Sequence, residues 1–388
     1  MHRRTFLNAI LTSGMLVRAP LLLAKPALPA RTLLLVELKG GNDGLNTVVP
    51  YADPAYYRLR PQLGLKRDTL LQLDEQLALH PALEPLYARW QRQQLAIALG
   101  VGYPDPNLSH FRSIEIWNTA SHSDQYLPEG WVAQQFAGNP ARSDRRGEFI
   151  ATDGDPGPLA GASLNALVLR DSERFLRRAK QRCATSTATG NPALQHILAT
   201  RQHIQQAAVK LEQQLAPLPG GEQQFPRGPF GRQLALAAQL VLSGLQVPVI
   251  KLSLGSFDTH TRQADQHRQL LQTLGSGLGQ FAQLMENRKR WDDVLVMTDS
   301  EFGRRPKQNG SAGTDHGTAA PHFLLGGLVR GGLYGRQPSL TRLEDGNLRY
   351  TLDFRSLYST LSHHWFRNAG ERLRGYPPVS CLRKSPTI

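Results

Sequence analysis

Acidic, imidazole and hydroxyl side chains recur in short polar clusters of this sequence. Four of the clusters come after an apolar run, and the last, Asp315-His316, lies in a glycine-flanked loop. The clusters are Asn42-Asp43-Gly44, Asn107-Leu108-Ser109-His110, Phe257-Asp258-Thr259-His260, Ser300-Glu301-Phe302-Gly303-Arg304 and Asp315-His316. In open parallel sheets, ligands bind outside the carboxyl ends of the strands. We therefore expect these side chains to meet at one edge of a sheet.

Carboxylates and imidazoles at one point are suitable ligands for zinc, manganese or magnesium. The predicted metal ligands are Asp43, Asp258, His260, Glu301 and His316, with Asp315 as a further ligand or a partner behind them. A divalent metal polarises a phosphoryl or sulfuryl oxygen and activates a hydroxyl or water nucleophile. Ser109 is the predicted nucleophile, and His110 or Arg304 would orient the transferred group.

Each cluster also has a structural interpretation, which the sequence leaves open. Asp43 before Gly44 is typical of a turn, and Ser109 is typical of the residue that caps a helix. Asp258 and His260 also fit a hydrogen-bonded pair that only stabilises the fold. Glu301 and Arg304 fit a salt bridge at the start of a helix. Other histidines lack acidic neighbours at strand ends and are interpreted as structural, namely His80, His122, His267, His363 and His364.

The segments that must position these clusters alternate between short apolar runs and amphipathic stretches. We expect buried strands at 32–38, 95–99, 247–254, 293–298 and 323–325, with a short one at 166–169. We expect helices at 81–92, 191–215, 232–243, 264–286 and 354–365. This alternation predicts one doubly wound α/β domain over 31–388, in which 140–190 forms a looser insertion.

The first 30 residues have the layout of an export signal. Arg3 and Arg4 precede Phe6 and Leu7, an apolar stretch follows, and small residues end the segment near Ala30. The paired arginines predict the twin-arginine pathway, which places the mature protein in the periplasm or cell envelope. Arg18 interrupts the apolar stretch, which is too short for the ~20 residues of a transmembrane helix, so no transmembrane segment is predicted.

The charge of the chain limits its partners. The formal net charge of +14 falls to +10 without the four basic residues of 1–30, and the remaining Lys and Arg are scattered. No nucleic-acid-binding motif accompanies them, which argues against a nucleic-acid partner. An anionic small molecule or an anionic envelope polymer fits this charge. Cys183 and Cys381 can form a disulfide in an oxidising compartment, but the sequence does not require one.

The motifs together resemble the exported bacterial family catalogued as domain of unknown function 1501. The matching segments are 40–46 with Pro50-Tyr51, 79–83, 102–104, 109–111, 257–260, 300–305, 313–317 and 353–355. That family is similar to the alkaline phosphatase and sulfatase superfamily. The resemblance implies a three-layer α/β/α sandwich with a mostly parallel sheet, and hydrolysis of phosphate or sulfate esters.

The resemblance also assigns roles to single residues. It implies a first metal-binding aspartate at Asp43, a nucleophile at Ser109, and a last metal-binding histidine at His316. Asp258 and His260 match a second acid-histidine cluster, although the superfamily spaces those residues more widely. Phe302 stands where a histidine ligand is expected, which leaves a one-metal site, a rearranged site or no metal as alternatives.

Two functions follow from these observations. The leading hypothesis is an exported metal-dependent hydrolase that acts on a phosphate or sulfate ester. The alternative is a non-catalytic envelope protein that keeps the sandwich fold to bind or assemble with a protein partner. Phe302 and the basic charge favour the alternative, whereas the strand-end acids and histidines favour the hydrolase.

Overall fold

The computed structural model describes residues 31–137, 149–161, 164, 166–169, 191–218, 221–368 and 373–383. The predicted export signal at 1–30 lies outside these residues. Most of the predicted insertion at 140–190, which includes Cys183, lies outside them as well. All structural statements below concern the described part of the chain.

A mixed sheet of nine strands forms the centre of the described structure. Its strands are β1 (Thr32–Leu38), β5 (Leu95–Gly102), β6 (Phe149–Ala151), β7 (Ala166–Val168), β8 (Val249–Leu254), β9 (Val294–Asp299), β10 (Ala320–Gly326), β11 (Gly332–Gly335) and β12 (Leu352–Asp353). The order is β11-β5-β10-β9-β1-β8-β6-β7, and β12 also pairs with β5. Three short strands form a separate small sheet in the order β2-β4-β3, namely β2 (Val48–Val49), β3 (Leu71–Gln72) and β4 (Ala78–Leu79).

Strand β1 lies between two parallel neighbours, β8 and β9, and all seven of its residues are buried. Its side chains alternate between two cores because successive residues of a strand point to opposite faces. Leu34 and Val36 enter one hydrophobic cluster, whereas Leu33 and Leu35 enter the other. A strand buried on both faces requires the continuous apolar run that the sequence has at this position.

Helices cover both faces of the sheet. They are α1 (Gly44–Thr47), α2 (Pro54–Leu59), α3 (Glu84–Gln91), α4 (His110–Thr119), α5 (Trp131–Phe136), α6 (Pro192–Gln214), α7 (Pro229–Leu242), α8 (Gln263–Asn287) and α9 (Phe354–Thr360). Helices α3, α6, α7 and α8 contribute to the first core, and α4, α5 and α9 contribute to the second. The structure therefore confirms the α/β/α layers and the mostly parallel sheet that the sequence predicts.

One strand of the sheet, β10, is antiparallel to its neighbours, and its direction brings the loop before it to the carboxyl edge of the other strands. β10 pairs antiparallel with both β9 and β5. Because β10 is reversed, it begins at the edge where β1, β5, β8 and β9 end. The loop before β10, which carries His316, therefore meets the four loops that follow those strands.

Several elements differ from the sequence prediction. The segment after Ser109 is a ten-residue helix, α4, which the sequence suggested only through the structural interpretation of Ser109 as a helix cap. The predicted helix at 354–365 continues beyond α9 as a π-helical turn over Leu361–Trp365.

Cys381 is a buried free thiol. No helix among the described residues is long and apolar enough to cross a membrane.

Candidate metal centre

Three predicted ligands converge at the carboxyl edge of the sheet. Asp258 Oδ1 lies 2.8 Å from His260 Nε2 and 3.2 Å from His316 Nε2. The two imidazole Nε2 atoms are 3.1 Å apart. Asp258 and His260 follow β8, whereas His316 precedes β10, so the reversal of β10 makes this convergence possible.

His110 joins this group from the first turn of α4. Its Nε2 atom lies 3.7 Å from Asp258 Oδ2, and single ligand atoms of His110, Asp258 and His316 all lie within 4.8 Å of one another. The sequence suggested that His110 orients the transferred group. The geometry makes it a candidate ligand instead.

The Nδ1 atoms of His316 and His110, which lie on the ring side away from the cluster, are within hydrogen-bonding distance of oxygen atoms. His316 Nδ1 is 2.9 Å from the carbonyl oxygen of Leu108, which can only accept a hydrogen bond. His110 Nδ1 is 2.7 Å from Glu301 Oε1. If each Nδ1 carries the proton, each Nε2 presents its lone pair to the cluster. Partners of this kind commonly orient metal-binding imidazoles.

The donor set fits a divalent cation. Two neutral imidazole lone pairs repel each other at 3.1 Å unless a proton or a cation lies between them. Metal–nitrogen bonds of ~2.0–2.1 Å in a tetrahedral site place neighbouring ligand atoms about 3.3 Å apart. The contacts of 2.8, 3.1 and 3.2 Å are close to that separation. One carboxylate with several imidazoles is a donor set that suits zinc better than magnesium.

Arg304 fixes the position of Asp258. Its guanidinium is buried, and Nη2 donates to Asp258 Oδ1 at 2.7 Å. Its donors also reach four backbone carbonyls, those of Gly40, Gly41, Phe257 and Thr314. The donors of Arg304 are thus engaged within the fold, and its predicted contact with the transferred group stays a prediction.

The Asp258 carboxylate remains ionised over a wide pH range. Partial burial alone would raise the pKa of Asp258. Hydrogen bonds from Arg304 and His316, together with the charges of Arg304 and His260, lower it to about 2. Its side chain is 46% exposed, so the ionised carboxylate is open to solvent as well as to the two histidines.

Glu301 lies behind the cluster. It is buried, and Oε1 accepts hydrogen bonds from the backbone N–H of Gly40 at 2.8 Å and from His110 at 2.7 Å. The sequence predicts Glu301 as a ligand, but these contacts give it a different role. The carboxylate orients His110 from the side that faces away from Asp258.

Asp43, the first of the predicted ligands, forms an internal ion pair. Both of its carboxylate oxygens bind Arg60, at 2.6 and 2.9 Å, and Gln263 donates to one of them. The side chains of Asp43 and Arg60 are fully buried. Burial alone would raise the pKa of Asp43, but Arg60 and Gln263 lower it. The internal ion pair occupies the carboxylate, because Arg60 supplies a positive charge within the fold.

Asp315 and Phe302 adjoin the three histidines. Asp315 Oδ1 lies 3.6 Å from His260 Nδ1 and accepts a hydrogen bond from Asn309, so it is placed as a partner of His260. The buried ring of Phe302 packs against His110 and His316, with centroids 4.8 and 4.5 Å apart. Phe302 therefore gives the imidazoles an apolar wall and contributes no ligand atom.

Ser109 lies at the start of α4, immediately before His110 in the chain. It occupies the residue position that commonly caps a helix, but its hydroxyl makes no capping hydrogen bond. The side chain is exposed, and its backbone N–H donates to Asn107 Oδ1 at 2.8 Å. Ser109 is therefore the N-cap residue of α4, as its structural interpretation has it, but its hydroxyl is not used for capping and remains available for chemistry.

The loops after β1 and β8 and the loop before β10 are in close backbone contact at this edge. Gly40 has a φ of +114°, and a Cβ atom there would lie 2.4 Å from the backbone nitrogen of Asp258. A Cβ atom on Gly313 would lie 2.1 Å from the carbonyl oxygen of His260. Only glycine allows approaches this close, so the glycines of these motifs permit the acids and histidines to meet.

A second cluster of charged residues, formed around Lys251 of β8 and Glu37 of β1, was not predicted from the sequence. Lys251 of β8 is buried and lies 3.0 Å from Glu37 and 2.8 Å from Asp153, which also pairs with Lys39 at 2.8 Å. Burial and the charge of Glu37 raise the pKa of Asp299 to about 8. The available sequence signal was a single charged residue inside each of two apolar runs, at Glu37 and Lys251.

Comparisons with known proteins give a family and a set of similar folds. Residues 30–366 match the model of the family described as "Protein of unknown function (DUF1501)". No curated protein has a significantly similar sequence. The chain is similar to the zinc complex of the C-terminal periplasmic domain of EcEptC from Escherichia coli, with 10% identity over 89% of this chain and 83% of that one, and a TM-score of 0.40.

Two further solved structures show a similar degree of likeness. One is an alkaline phosphatase superfamily protein from Vibrio parahaemolyticus, with 10% identity, 87% and 67% coverage of the two chains, and a TM-score of 0.40. The other is the PsFucS1 sulfatase from Pseudoalteromonas sp., with 11% identity, 89% and 68% coverage, and a TM-score of 0.37.

Proposed function

We propose that this chain, which belongs to the DUF1501 family, is an exported metal-dependent hydrolase that acts on a phosphate or sulfate ester. The observation that supports this proposal best is the convergence of Asp258, His260 and His316, with ligand atoms 2.8–3.2 Å apart. Distant segments of the chain supply these side chains, and their ligand atoms have about the spacing that one tetrahedral metal ion would give them.

Asp258, His260 and His316 would hold the metal, and His110 would be a fourth ligand or a contact to the substrate. The metal could be zinc, manganese or magnesium, with zinc favoured by the imidazoles. When bound, it would polarise the ester oxygen and lower the pKa of the attacking group. Glu301 and the Leu108 carbonyl hold the imidazoles in place, and Arg304 keeps Asp258 ionised.

Ser109 is the proposed nucleophile. Its hydroxyl is exposed, is not used to cap α4, and belongs to the residue between Leu108 and His110, both of which contact the cluster. The start of α4 carries unpaired backbone N–H groups and the positive end of the helix dipole, which together favour an anionic ester. Ser109 Oγ would bond to the phosphorus or sulfur atom as the ester bond to the alcohol breaks, and the alcohol would leave with the proton that the hydroxyl gives up. Water would then hydrolyse the serine ester, which releases phosphate or sulfate and restores the hydroxyl.

Export by the twin-arginine pathway, to the periplasm or cell envelope, is part of the same proposal. It rests on Arg3-Arg4-Thr5-Phe6-Leu7 and on the apolar stretch that follows. The basic net charge suits an anionic small molecule or an anionic envelope polymer as substrate. A fusion of residues 1–30 to a reporter that is active only after export tests this part. Loss of export when both arginines become lysines is the expected result.

The catalytic proposal is tested on the purified chain by metal analysis and by a panel of phosphate, phosphonate and sulfate esters. The double variant Asp258→Asn, His260→Asn should lose both bound metal and turnover. A matched control, Asp265→Asn with His363→Asn, changes an exposed acid and an exposed histidine elsewhere and should change neither property. Turnover that survives the first double variant would refute the assignment. A metal-free protein that recovers one partner in fixed ratio from envelope extract would instead support the non-catalytic binding alternative.

A further inference from the structure

Asn107 belongs to the polar segment 107–110, and the proposed function leaves it without a role. Its side-chain oxygen Oδ1 accepts a hydrogen bond from the backbone N–H of Ser109 at 2.8 Å. Because a backbone N–H can only donate, this bond requires the oxygen, and not Nδ2, on the branch of the amide that faces Ser109. Nδ2 makes no hydrogen bond within the described part of the chain. The side-chain NH2 group of Asn107 is therefore a free donor beside the proposed nucleophile.

The residues that follow Asn107 place this donor at the candidate metal centre. The carbonyl oxygen of Leu108 is 2.9 Å from His316 Nδ1, and His110 supplies one of the grouped ligand atoms. Ser109, whose N–H holds the amide, lies between Leu108 and His110 in the chain. The amide nitrogen shares its carbon atom with the oxygen that binds this N–H. A phosphate or sulfate group that reaches the Ser109 hydroxyl therefore lies beside the Asn107 NH2 group.

A buried tyrosine fixes the backbone of Asn107. Tyr103 Oη accepts a hydrogen bond from the Asn107 N–H at 3.2 Å and lies 2.7 Å from Ser113 Oγ. The Ser113 hydroxyl donates to the carbonyl oxygen of Glu301 at 2.6 Å, so the proton between the two hydroxyls belongs to Tyr103. Tyr103 thus ties Asn107 to α4 and to the loop after β9. A donor that is held in place before the substrate arrives stabilises charge without reorganisation.

The short loop from Tyr103 to Asn107 is itself restricted. Pro104 and Pro106 fix two of its φ angles, because the proline ring locks that rotation. Asp105, between the two prolines, has a left-handed φ of +52°, which is uncommon outside glycine. Such residues persist where the surrounding structure holds them, and they cluster at functional sites. The loop therefore presents the Asn107 amide in a defined conformation.

We propose that Asn107 is a further catalytic residue, whose Nδ2 donates a hydrogen bond to a non-bridging oxygen of the transferred phosphoryl or sulfuryl group, and that Tyr103 is its positioning residue. This inference rests on the proposed hydrolase function and adds the group that binds the anionic oxygens of the substrate. The hydrogen bond offsets part of their negative charge and holds the transferred group in front of Ser109.

The variant Asn107→Asp separates this role from that of a turn residue. Asparagine and aspartate both accept a hydrogen bond from the N–H two residues on, so the turn before α4 is retained, but aspartate has an oxygen in place of the donor Nδ2. The control Gln308→Glu adds the same charge on the loop that carries His316. It keeps the hydrogen bonds that Gln308 Oε1 accepts from the backbone N–H groups of Gln62 and Leu63.

Two properties of the full mature chain are measured. Calorimetry gives the dissociation constants of inorganic phosphate and inorganic sulfate, and steady-state kinetics give kcat and KM for an ester that the wild-type chain hydrolyses. Melting curves and metal analysis show whether the fold and the metal content of each variant are retained. Tyr103→Phe, which removes only the hydroxyl, is measured alone and together with Asn107→Asp.

We expect Asn107→Asp to weaken phosphate or sulfate binding at least tenfold and to lower kcat about 100-fold, the size of effect that loss of one such donor has in other enzymes. Gln308→Glu should change either property by less than about threefold. Tyr103→Phe should lower kcat in the wild-type background but have little further effect on Asn107→Asp, because it acts through Asn107.

Losses in Asn107→Asp that are no larger than those in Gln308→Glu would overturn the proposal and leave Asn107 as a turn residue. Failure of the hydrolase proposal has a separate signature. Anion binding that Asn107→Asp weakens, without turnover of any ester, would keep the anion contact and reject hydrolysis. A wild-type chain that binds neither phosphate nor sulfate would overturn both.

Discussion

Replacement of Asp43 by asparagine distinguishes a structural acid from a metal ligand. Asp43 and Arg60 are both fully buried, with nitrogen–oxygen distances of 2.6 and 2.9 Å. The Asp43→Asn variant removes the negative charge and leaves the Arg60 guanidinium buried without compensation. We therefore expect a marked loss of stability and no loss of metal from the molecules that remain folded.

The size of the effect follows from burial. Removal of one partner from a buried ion pair costs about 3–5 kcal/mol, because the other charge stays desolvated. Asp258→Asn should cost less, on the order of 1 kcal/mol, since Asp258 is 46% exposed and Arg304 keeps its backbone carbonyl acceptors. The pKa of Asp43 is lowered in the fold, so the wild-type chain has its full contribution above the usual aspartate pKa. That contribution is lost as pH falls through the lowered value.

Urea denaturation of both variants, with metal content measured on the folded protein, provides the assay. The two variants should differ in opposite directions. Asp43→Asn loses stability and keeps metal, whereas Asp258→Asn loses metal and keeps most of its stability. A stable Asp43→Asn variant that binds metal at least tenfold more weakly would refute the structural role and would restore Asp43 as a ligand.

Three further predictions concern other parts of the chain. Glu301→Gln should weaken metal binding about 10–100-fold, because His110 loses its orienting carboxylate, and a chelator competition measures this. Ser109→Ala should abolish ester turnover, and because the hydroxyl makes no capping hydrogen bond the free energy of unfolding should change by less than about 0.5 kcal/mol. An activity assay, a thermal melting curve and a metal analysis of the variant check this. Burial raises the pKa of Cys381 to about 12, so its thiol should resist iodoacetamide at pH 8 until urea unfolds the chain. Peptide mass spectrometry follows its modification, and rapid reaction of the native thiol would contradict the buried site.

The layers of the fold could be predicted from hydrophobic patterning. The run at 32–38 coincides with β1, and the periodic stretch at 264–286 differs from α8 by one residue at each end. Such patterns are local, because a strand buried on both faces and an amphipathic helix each leave a distinct sequence period. Helix α4 was considered only as an alternative, because its polar first turn obscures the apolar face that Ile116 and Trp117 bury.

The identities of the candidate site residues could also be predicted, but their roles could not. The sequence by itself selected Asp258 and His260, since acids and imidazoles after strands of a parallel sheet come to one edge. It selected His316 from a glycine-flanked loop and from the family resemblance, and only the reversal of β10 explains its place. It could not show that Arg60 neutralises Asp43, that Glu301 supports His110, or that Arg304 is directed inward. Those roles depend on which side chains come within hydrogen-bonding distance of each other in the folded chain, where partners are up to 264 positions apart. Residue type and local spacing therefore determined the chemistry available at the edge, and tertiary packing alone decided how each group is used.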